Sequence, residues 1–440
     1  VTRASWRWSL LLVAAVYLLT LPGTWGVTDQ AEMLYNARRL LDRGTLRLSD
    51  PGVARVAELP WLKGDPGTGL RSRFLPLTML TLVPLVALDA AIGAGEPLRH
   101  GALAHLQGVL LTLVALGLLG WSVRRLGASP PATAAAVLFT GLCWPVWRAG
   151  LRGGAEPVML LLVTVYLAGV ASERGVPSRA RRGWWLRALA CLLLPWANPE
   201  GTILAGAIVA AAALEWIATR EGTAGSTWGP PLIGCLIGNL GVMGLWNHGF
   251  HGDLWRGGYG AYNVIRFAEM PLARGLGLYV GGALAQVAPL MLAASLAAFR
   301  ARRTRLLVLP VALAVTVIAV FATHYLPEPT RRLAPVWPAW AFVVAVAWDD
   351  ARGRPVWPWL LVIGQALLGF QGFMQDHGRY YQAPDGLFYP WVLWVRLALA
   401  GRPWWQTALP VAVLLALIAW SASRVRALAA MTASGERAAA

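Results

Sequence analysis

The sequence predicts an all-α, polytopic membrane protein of about 12 transmembrane helices, within a range of about 11–13. Three observations predict it. The 440 residues are 57% hydrophobic and only 13% charged, with mean hydropathy +0.55, whereas soluble domains are about 25% charged. Apolar runs of about 18 residues or more recur along the length, enough to cross a bilayer as helix. The short alternating segments of a spanning β-barrel are absent.

The elements follow in order. The first apolar run, 8–25, comes after Arg3 and Arg7 and has no small-x-small cleavage site behind it, so it reads as an uncleaved anchor. Segment 29–44 carries Leu34, Ala37, Leu40 and Leu41 at helical spacing, with Arg38, Arg39, Asp42 and Arg43 largely elsewhere around the helix. Gly44 suits the position just past its end, and Thr28 or Asp29 suits its N-cap. This is an amphipathic helix at the membrane surface. Further spans fall at 101–122, 131–148, 156–172, 184–197, 200–217, 229–247, 273–299, 306–325, 333–348, 357–373 and 403–421. Segment 74–92 is apolar but holds Pro76, Pro84 and Asp89.

Arginine sets the orientation, because cytoplasmic loops collect basic residues. Arg3, Arg7 and the clusters Arg174/Arg179/Arg181/Arg182, Arg300/Arg302/Arg303/Arg305, Arg352/Arg354 and Arg424/Arg426 are expected inside. Counting spans from both directions puts 26–73 and 149–156 outside, with Arg124/Arg125 inside between them. The number of crossings between those two outside loops is then even, so one of three apolar segments does not cross. Segment 74–92, with its prolines and acid, is expected to be that interfacial or re-entrant helix. Loops 248–272, 324–332 and 374–388 also fall outside.

Net charge is +17, and Lys63 is the only lysine. Nucleic-acid binding is a poor reading of that charge: the arginines sit in short interhelical loops, where they orient spans and touch anionic lipid. The Arg skew, with abundant Ala, Gly and Trp, has the look of a GC-rich bacterial genome. Cys143, Cys191 and Cys235 lie in or beside apolar runs without metal-like spacing and imply no disulfide framework. Pairs among the 24 Trp, such as Trp144/Trp147, Trp184/Trp185, Trp357/Trp359 and Trp404/Trp405, are expected in an interfacial belt. No P-loop, nucleophile elbow or HExxH motif is present.

Asp29 is the residue that asks for chemistry. It is a carboxylate just past the first span, at the head of an amphipathic helix, in a chain with 21 acids. It can cap that helix, and it can serve as a general base or metal ligand; a cap also fixes the carboxylate. His248 and His251, beside Asp253, could form a metal pair on one helical turn, but Gly249 and Gly252 predict a loop. Glu200, in Asn198-Pro199-Glu200 between two short spans, is either an intramembrane acid or a solvated interfacial one.

Several stretches, in order, resemble one family. Thr28-Asp29…Tyr35…Ala37…Leu40-Leu41…Gly44 resembles the first outside loop of GT-C membrane glycosyltransferases, the group of protein O-mannosyltransferases and lipid A aminoarabinose transferases. Segment 74–92 resembles that family's Pro-containing helix leading back to the membrane. Arg148…Arg152-Gly153-Gly154-Ala155-Glu156-Pro157 resembles the second outside loop with its acid. Trp246-Asn247…Phe250…Gly252…Gly258-Tyr259-Gly260 and Thr323-His324-Tyr325…Pro329…Arg331-Arg332…Pro335…Pro338 are similar to later loops. The chain departs at Gln30, where the family has a second acid, at Asn198 for its Arg, and at Pro329-Thr330 for its Gly-Pro.

The resemblance implies a GT-C-like module over 1–348 and additional helices with a short cytoplasmic tail over 349–440. It implies an enzyme of the bacterial inner membrane, with both termini cytoplasmic and its site outside. A sugar would pass from a polyprenyl-phosphate donor to a glycan, lipid or protein acceptor, with inversion. Asp29 is then the base and Glu156 the second carboxylate; Arg331, Arg332 and Arg152 are the donor-phosphate candidates. Glu32, Tyr35, His248, His251, Tyr259 and His324 are candidate sugar, acceptor or metal contacts. A divalent cation, Mg²⁺ or Mn²⁺, is the candidate cofactor; the partners are membrane lipids and the donor and acceptor, not nucleic acid. Two other classes stay open. A transporter or flippase would use a carboxylate at the bilayer midplane, for which Glu200 is the candidate. A non-catalytic GT-C-like subunit predicts that Asp29 and Glu156 do not share a cleft.

Overall fold

A computed structural model describes residues 6–21, 28–44, 75–92, 103–104, 106–175, 180–219, 227–252, 270–323, 329–349, 356–380 and 419–424, with single positions 254, 412 and 416. Among the described residues every regular element is helical. Helix α1 (Arg7–Thr20) precedes α2 (Thr28–Arg43) and α3 (Pro76–Ala91). Then come α4 (Leu106–Arg125), α5 (Pro130–Gly141), α6 (Trp144–Arg152), α7 (Ala155–Gly175), α8 (Ala180–Ala197) and α9 (Pro199–Thr219). Helix α10 (Gly229–Gly241) runs on into π-helical turns over Val242–His251. Helix α11 (Leu272–Gly277) likewise continues as π turns, Leu278–Leu284, before α12 (Ala288–Arg300). Helices α13 (Val308–Phe321), α14 (Pro329–Leu333), α15 (Trp337–Trp348) and α16 (Val356–Tyr380) complete the described chain.

Proline writes many of the starts. Pro76, Pro130, Pro145, Pro230 and Pro289 occupy the first turns of α3, α5, α6, α10 and α12, where the missing N–H has no intrahelical partner to lose. Ser129 caps α5, its Oγ accepting from the Ala132 N–H at 3.4 Å.

Five helices are long and apolar enough to cross a membrane among the described residues. Two bent pairs would each make one more, and three shorter apolar helices include α1 and α3. The burial pattern sorts them. Helix α7 is central, 83% of its apolar window being buried, while the windows ending α10 and α13 are 33% and 28% buried. Leu240, Leu245 and Val315 stay exposed on those outer helices, which is stable where the surrounding medium is lipid rather than water.

The structure refines several expectations. Segments 131–148 and 273–299, expected as spans, are each a bent pair of helices, turning by 65° between α5 and α6 and by 77° between the α11 segment and α12. Cys143 is extended at the first break, and Val287 leaves helical geometry at the second, each two residues before a proline. The first bend carries Trp144 and Trp147 into the core, each 4% exposed, instead of into an interfacial belt. There the Trp147 Nε1–H donates to Thr20 Oγ1 at 2.9 Å, and its ring stacks on Phe373 at 5.2 Å. Trp185 does remain exposed, edge-on to Trp184. Helix α16 runs on to Tyr380, so the first part of the expected loop 374–388 is helical. The expected loop around His248 is π-helical, and ends at Gly252 in the left-handed region, φ 78°.

Candidate functional site

The bundle has two chemically different ends. Glu156 is the second residue of α7 and Glu200 the second of α9, positions where the helix N-terminus favours an acid. Both reach α14, a five-residue helix whose adjacent arginines they divide. Arg331 Nε donates to Glu156 Oε1, and Arg332 Nη1 donates to Glu200 Oε1. The Arg332 guanidinium also lies over the Phe321 ring, 4.1 Å from its centroid, a cation–π contact. The buried Arg332 Nε has no acceptor among the described residues. Glu156 is buried, while Glu200 and both arginines are partly so.

The turn before α7 sets Glu156. Gly153 closes α6 with φ 67°, and Gly154 follows at φ 94°, both in the region that disfavours side chains. A Cβ on Gly154 would lie 3.3 Å from Glu156 Oε2 and 3.3 Å from Met33 Cε. Helix α2 therefore packs against the turn that carries Glu156. Met33, Leu34 and Ala37 of α2 are buried with Met79, Leu82 and Val86 of α3 and with Trp246. The helical spacing predicted Leu34 and Ala37 on that face, but Leu41, expected with them, is exposed, and Arg39, expected elsewhere around the helix, is buried. Asp29 stands one turn before Met33 on α2, about 6 Å along the axis. The side chains of Thr28–Glu32 lie outside the described residues, so the structure places Asp29 and Glu32 on a helix and no further.

The other candidates scatter. Tyr35 is half-buried on α2, and Arg152 ends α6. His248 is exposed on the π-helical turns. The side chain of His251, and Tyr259 and His324 altogether, lie outside the described residues. Among the described residues no three His, Cys, Asp or Glu side chains approach one another closely enough to hold a metal. Glu156 faces a guanidinium rather than a second carboxylate, and the side chains of the other candidate ligands, Asp29 and Glu32, lie outside the described residues.

Some contributors were not foreseen. Asp89, expected to keep 74–92 at the interface, is buried and accepts the Leu103 and Ala104 N–H groups at 3.0 Å each; it secures the entry to α4. Gln107 holds the Gly154 backbone, and Thr78 and Thr81 of α3 join it. A polar residue inside an apolar run was their only sequence signal.

This arrangement has solved counterparts. ArnT from Cupriavidus metallidurans bound to undecaprenyl phosphate superposes with TM-score 0.58 at 16% identity, over 96% of this chain and 73% of that one. Its apo state gives TM-score 0.56 at 16% identity, over 95% and 73%. ArnT is a GT-C aminoarabinose transferase. The fold is GT-C-like. No protein-family model matches the sequence, and no curated protein does either. Within a GT-C-like fold, segments 149–156, 198–200 and 329–333 share one end of the bundle, and α2 lies against it.

Proposed function

We propose that this protein is a lipid-linked sugar transferase of the GT-C type. It moves a sugar from a polyprenyl-phosphate donor to a cell-envelope acceptor on the non-cytoplasmic side, with inversion. The observation that carries the reading is the pair of carboxylate-held arginines, Arg331 and Arg332, with the helix that opens Thr28-Asp29 packed on the Glu156 turn, in a fold whose solved counterpart was captured with undecaprenyl phosphate. The arginine-rich opposite end, where Arg302, Arg303 and Arg305 are exposed, supports the sidedness.

The chemistry asks for two things. An acceptor O–H must lose its proton as its oxygen bonds to the anomeric carbon, and a carboxylate within hydrogen-bond reach takes it. The C–O bond to the lipid phosphate breaks with its electron pair going to the phosphate, and fixed guanidinium groups stabilise that charge. Asp29 is the base. Arg332, with a buried donor to spare, and Arg331 receive the phosphate, Arg152 assisting from the end of α6. Glu156 sets Arg331 and orients the acceptor. The arginines are held before the donor arrives, so little reorganisation is needed at reaction.

Purified protein incubated with polyprenyl-phosphate sugars and envelope extracts tests this. Asp29→Asn is expected to lower turnover about 10²- to 10⁴-fold; unchanged turnover removes Asp29 from the mechanism. A non-catalytic reading also has an observation in its favour, since Glu156 is neutralised by Arg331. It predicts wild-type protein that binds undecaprenyl phosphate and transfers nothing.

A further inference from the structure

A line of side-chain hydrogen bonds runs beneath the two carboxylates and is not explained by the fold alone. It starts at Gly154, two residues before Glu156. The Gly154 N–H donates to Gln107 Oε1 at 2.8 Å, and Gln107 Nε2 donates back to the Gly154 carbonyl at 3.5 Å. The same amide donates to Thr81 Oγ1 at 2.6 Å, and the Thr81 hydroxyl donates to the Thr78 carbonyl at 2.7 Å. The Thr78 hydroxyl then donates to the Ala197 carbonyl at 2.8 Å, three residues before Glu200. Gln107, Thr78 and Ala197 are buried. At the far end Asn198 Oδ1 accepts the Glu200 N–H at 3.4 Å.

Both ends of the line are backbone of exceptional shape. Gly153 and Gly154 are left-handed, so their conformation is not what a chain adopts unaided. Ala197 ends α8 where Pro199 starts α9, and proline leaves the carbonyls behind it without one of their helical donors. Gln107 and Thr78 supply the partners that these two turns lack. The two threonines stand on α3, whose other face carries Met79, Leu82 and Val86 against α2. One short helix is thus tied to three parts of the site: by apolar packing to the helix of Asp29, through Thr81 and Gln107 to the turn of Glu156, and through Thr78 to the turn of Glu200.

We infer that α3 is the alignment strut of the site, and that Gln107, Thr81 and Thr78 are positioning residues that set Glu156 and Glu200, and hence Arg331 and Arg332, relative to Asp29. The catalytic part of this inference rests on the transferase reading above; the positioning part does not.

The test uses full-length protein in detergent or nanodiscs and two variants of one residue. Gln107→Met keeps length and volume and removes all three hydrogen bonds of the side chain. Gln107→Glu restores an acceptor for the Gly154 N–H. Hydrogen–deuterium exchange of peptides covering 149–158 reads the positioning directly. Gln107→Met is expected to speed exchange there by about tenfold, and Gln107→Glu to recover most of the protection. In the transfer assay Gln107→Met is expected to lower kcat about 10- to 100-fold, as small misplacements of reacting groups do, with KM within about twofold, and Gln107→Glu to rescue it in part. Combined with Glu156→Gln, Gln107→Met is expected to add no further loss, because it acts through Glu156.

Unchanged exchange in Gln107→Met overturns the inference whatever the activity. Faster exchange with wild-type kcat also overturns it, by reducing the line to a structural support. Wild-type protein that transfers no sugar sinks the transferase reading alone, and the alignment role then stands or falls on the exchange result.

Discussion

Two Arg–Glu couples of low exposure in this molecule differ in how completely their donors are used. Arg187 of α8 is 4% exposed at its side chain. Its Nε and Nη2 both reach Glu173 Oε1, at 3.0 and 2.8 Å, and its Nη1 donates to the Thr227 carbonyl at 2.7 Å. That fork is closed by protein and fastens α7, α8 and the approach to α10. Arg332 of α14 is 13% exposed, with one carboxylate, Glu200, and the Phe321 ring beneath it. Its Nε is buried without an acceptor among the described residues. Burying a donor unused costs free energy, and under the proposed transferase reading that Nε is the donor left for an incoming phosphate oxygen.

The largest effect expected from that comparison is at Arg332. Removing Arg332 alone would strand Glu200, so the informative variant is Arg332→Gln with Glu200→Gln, which takes away both charges. Transfer is expected to fall about 10²- to 10³-fold, the usual consequence of losing a donor aimed at developing charge, with the thermal midpoint nearly unchanged. Arg332→Lys does not substitute, since a single ammonium cannot present the planar fork. A double variant that loses its fold and keeps its specific activity would make Arg332 a fastener like Arg187 and erase the distinction.

Arg187→Met inverts the pattern. It removes the guanidinium contacts to Glu173 and the donor to the Thr227 carbonyl. Fully buried pairs broken this way cost about 3–5 kcal/mol; Glu173 keeps about a quarter of its side chain in contact with the surroundings, so about 2–3 kcal/mol is expected. The loss is read as a lower midpoint in detergent unfolding, with turnover per folded molecule unchanged. A fall in turnover at full stability would place Arg187 in the chemistry instead.

Much of this was legible in the sequence, and the failures share a cause. Hydropathy and proline give the membrane class and the break at Asn198-Pro199, and the spacing of Leu34 and Ala37 gives the buried face of α2. Glu156, Glu200, Arg331 and Arg332 were each suspect on their own. Their pairing was not readable, because the partners are 175 and 132 residues apart. Hydropathy is blind to where an axis turns, so the bends at Cys143 and Val287 were missed, and with them the burial of Trp144 and Trp147. Gln107 sits inside an apolar run, and its partner is 47 residues away; local pattern says only that such a residue needs one. Asp89 misled in the opposite sense, since a capping carboxylate and an interfacial one look alike in sequence.

The smallest effect sharpens the comparison from the exposed side. Asp349, just past α15, accepts the Ser129 N–H at 2.7 Å through Oδ2 and the Ser129 hydroxyl at 2.6 Å through Oδ1. It ties the start of α5 to the end of α15 at the end of the bundle away from Glu156. Here the donors are filled, as at Arg187, but both groups are exposed, so water replaces Asp349 when it is removed. Asp349→Ala is therefore expected to cost only about 0.5–1 kcal/mol, with the Ser129 cap on α5 intact and transfer unchanged. Ser129→Ala removes the cap as well and is expected to cost about 1–1.5 kcal/mol. If Asp349→Ala proved as damaging as Arg187→Met, closure of the hydrogen bonds alone would set the stability of such ties. The expected ranking, Arg187 well above Ser129 and Ser129 above Asp349, instead makes burial the deciding factor.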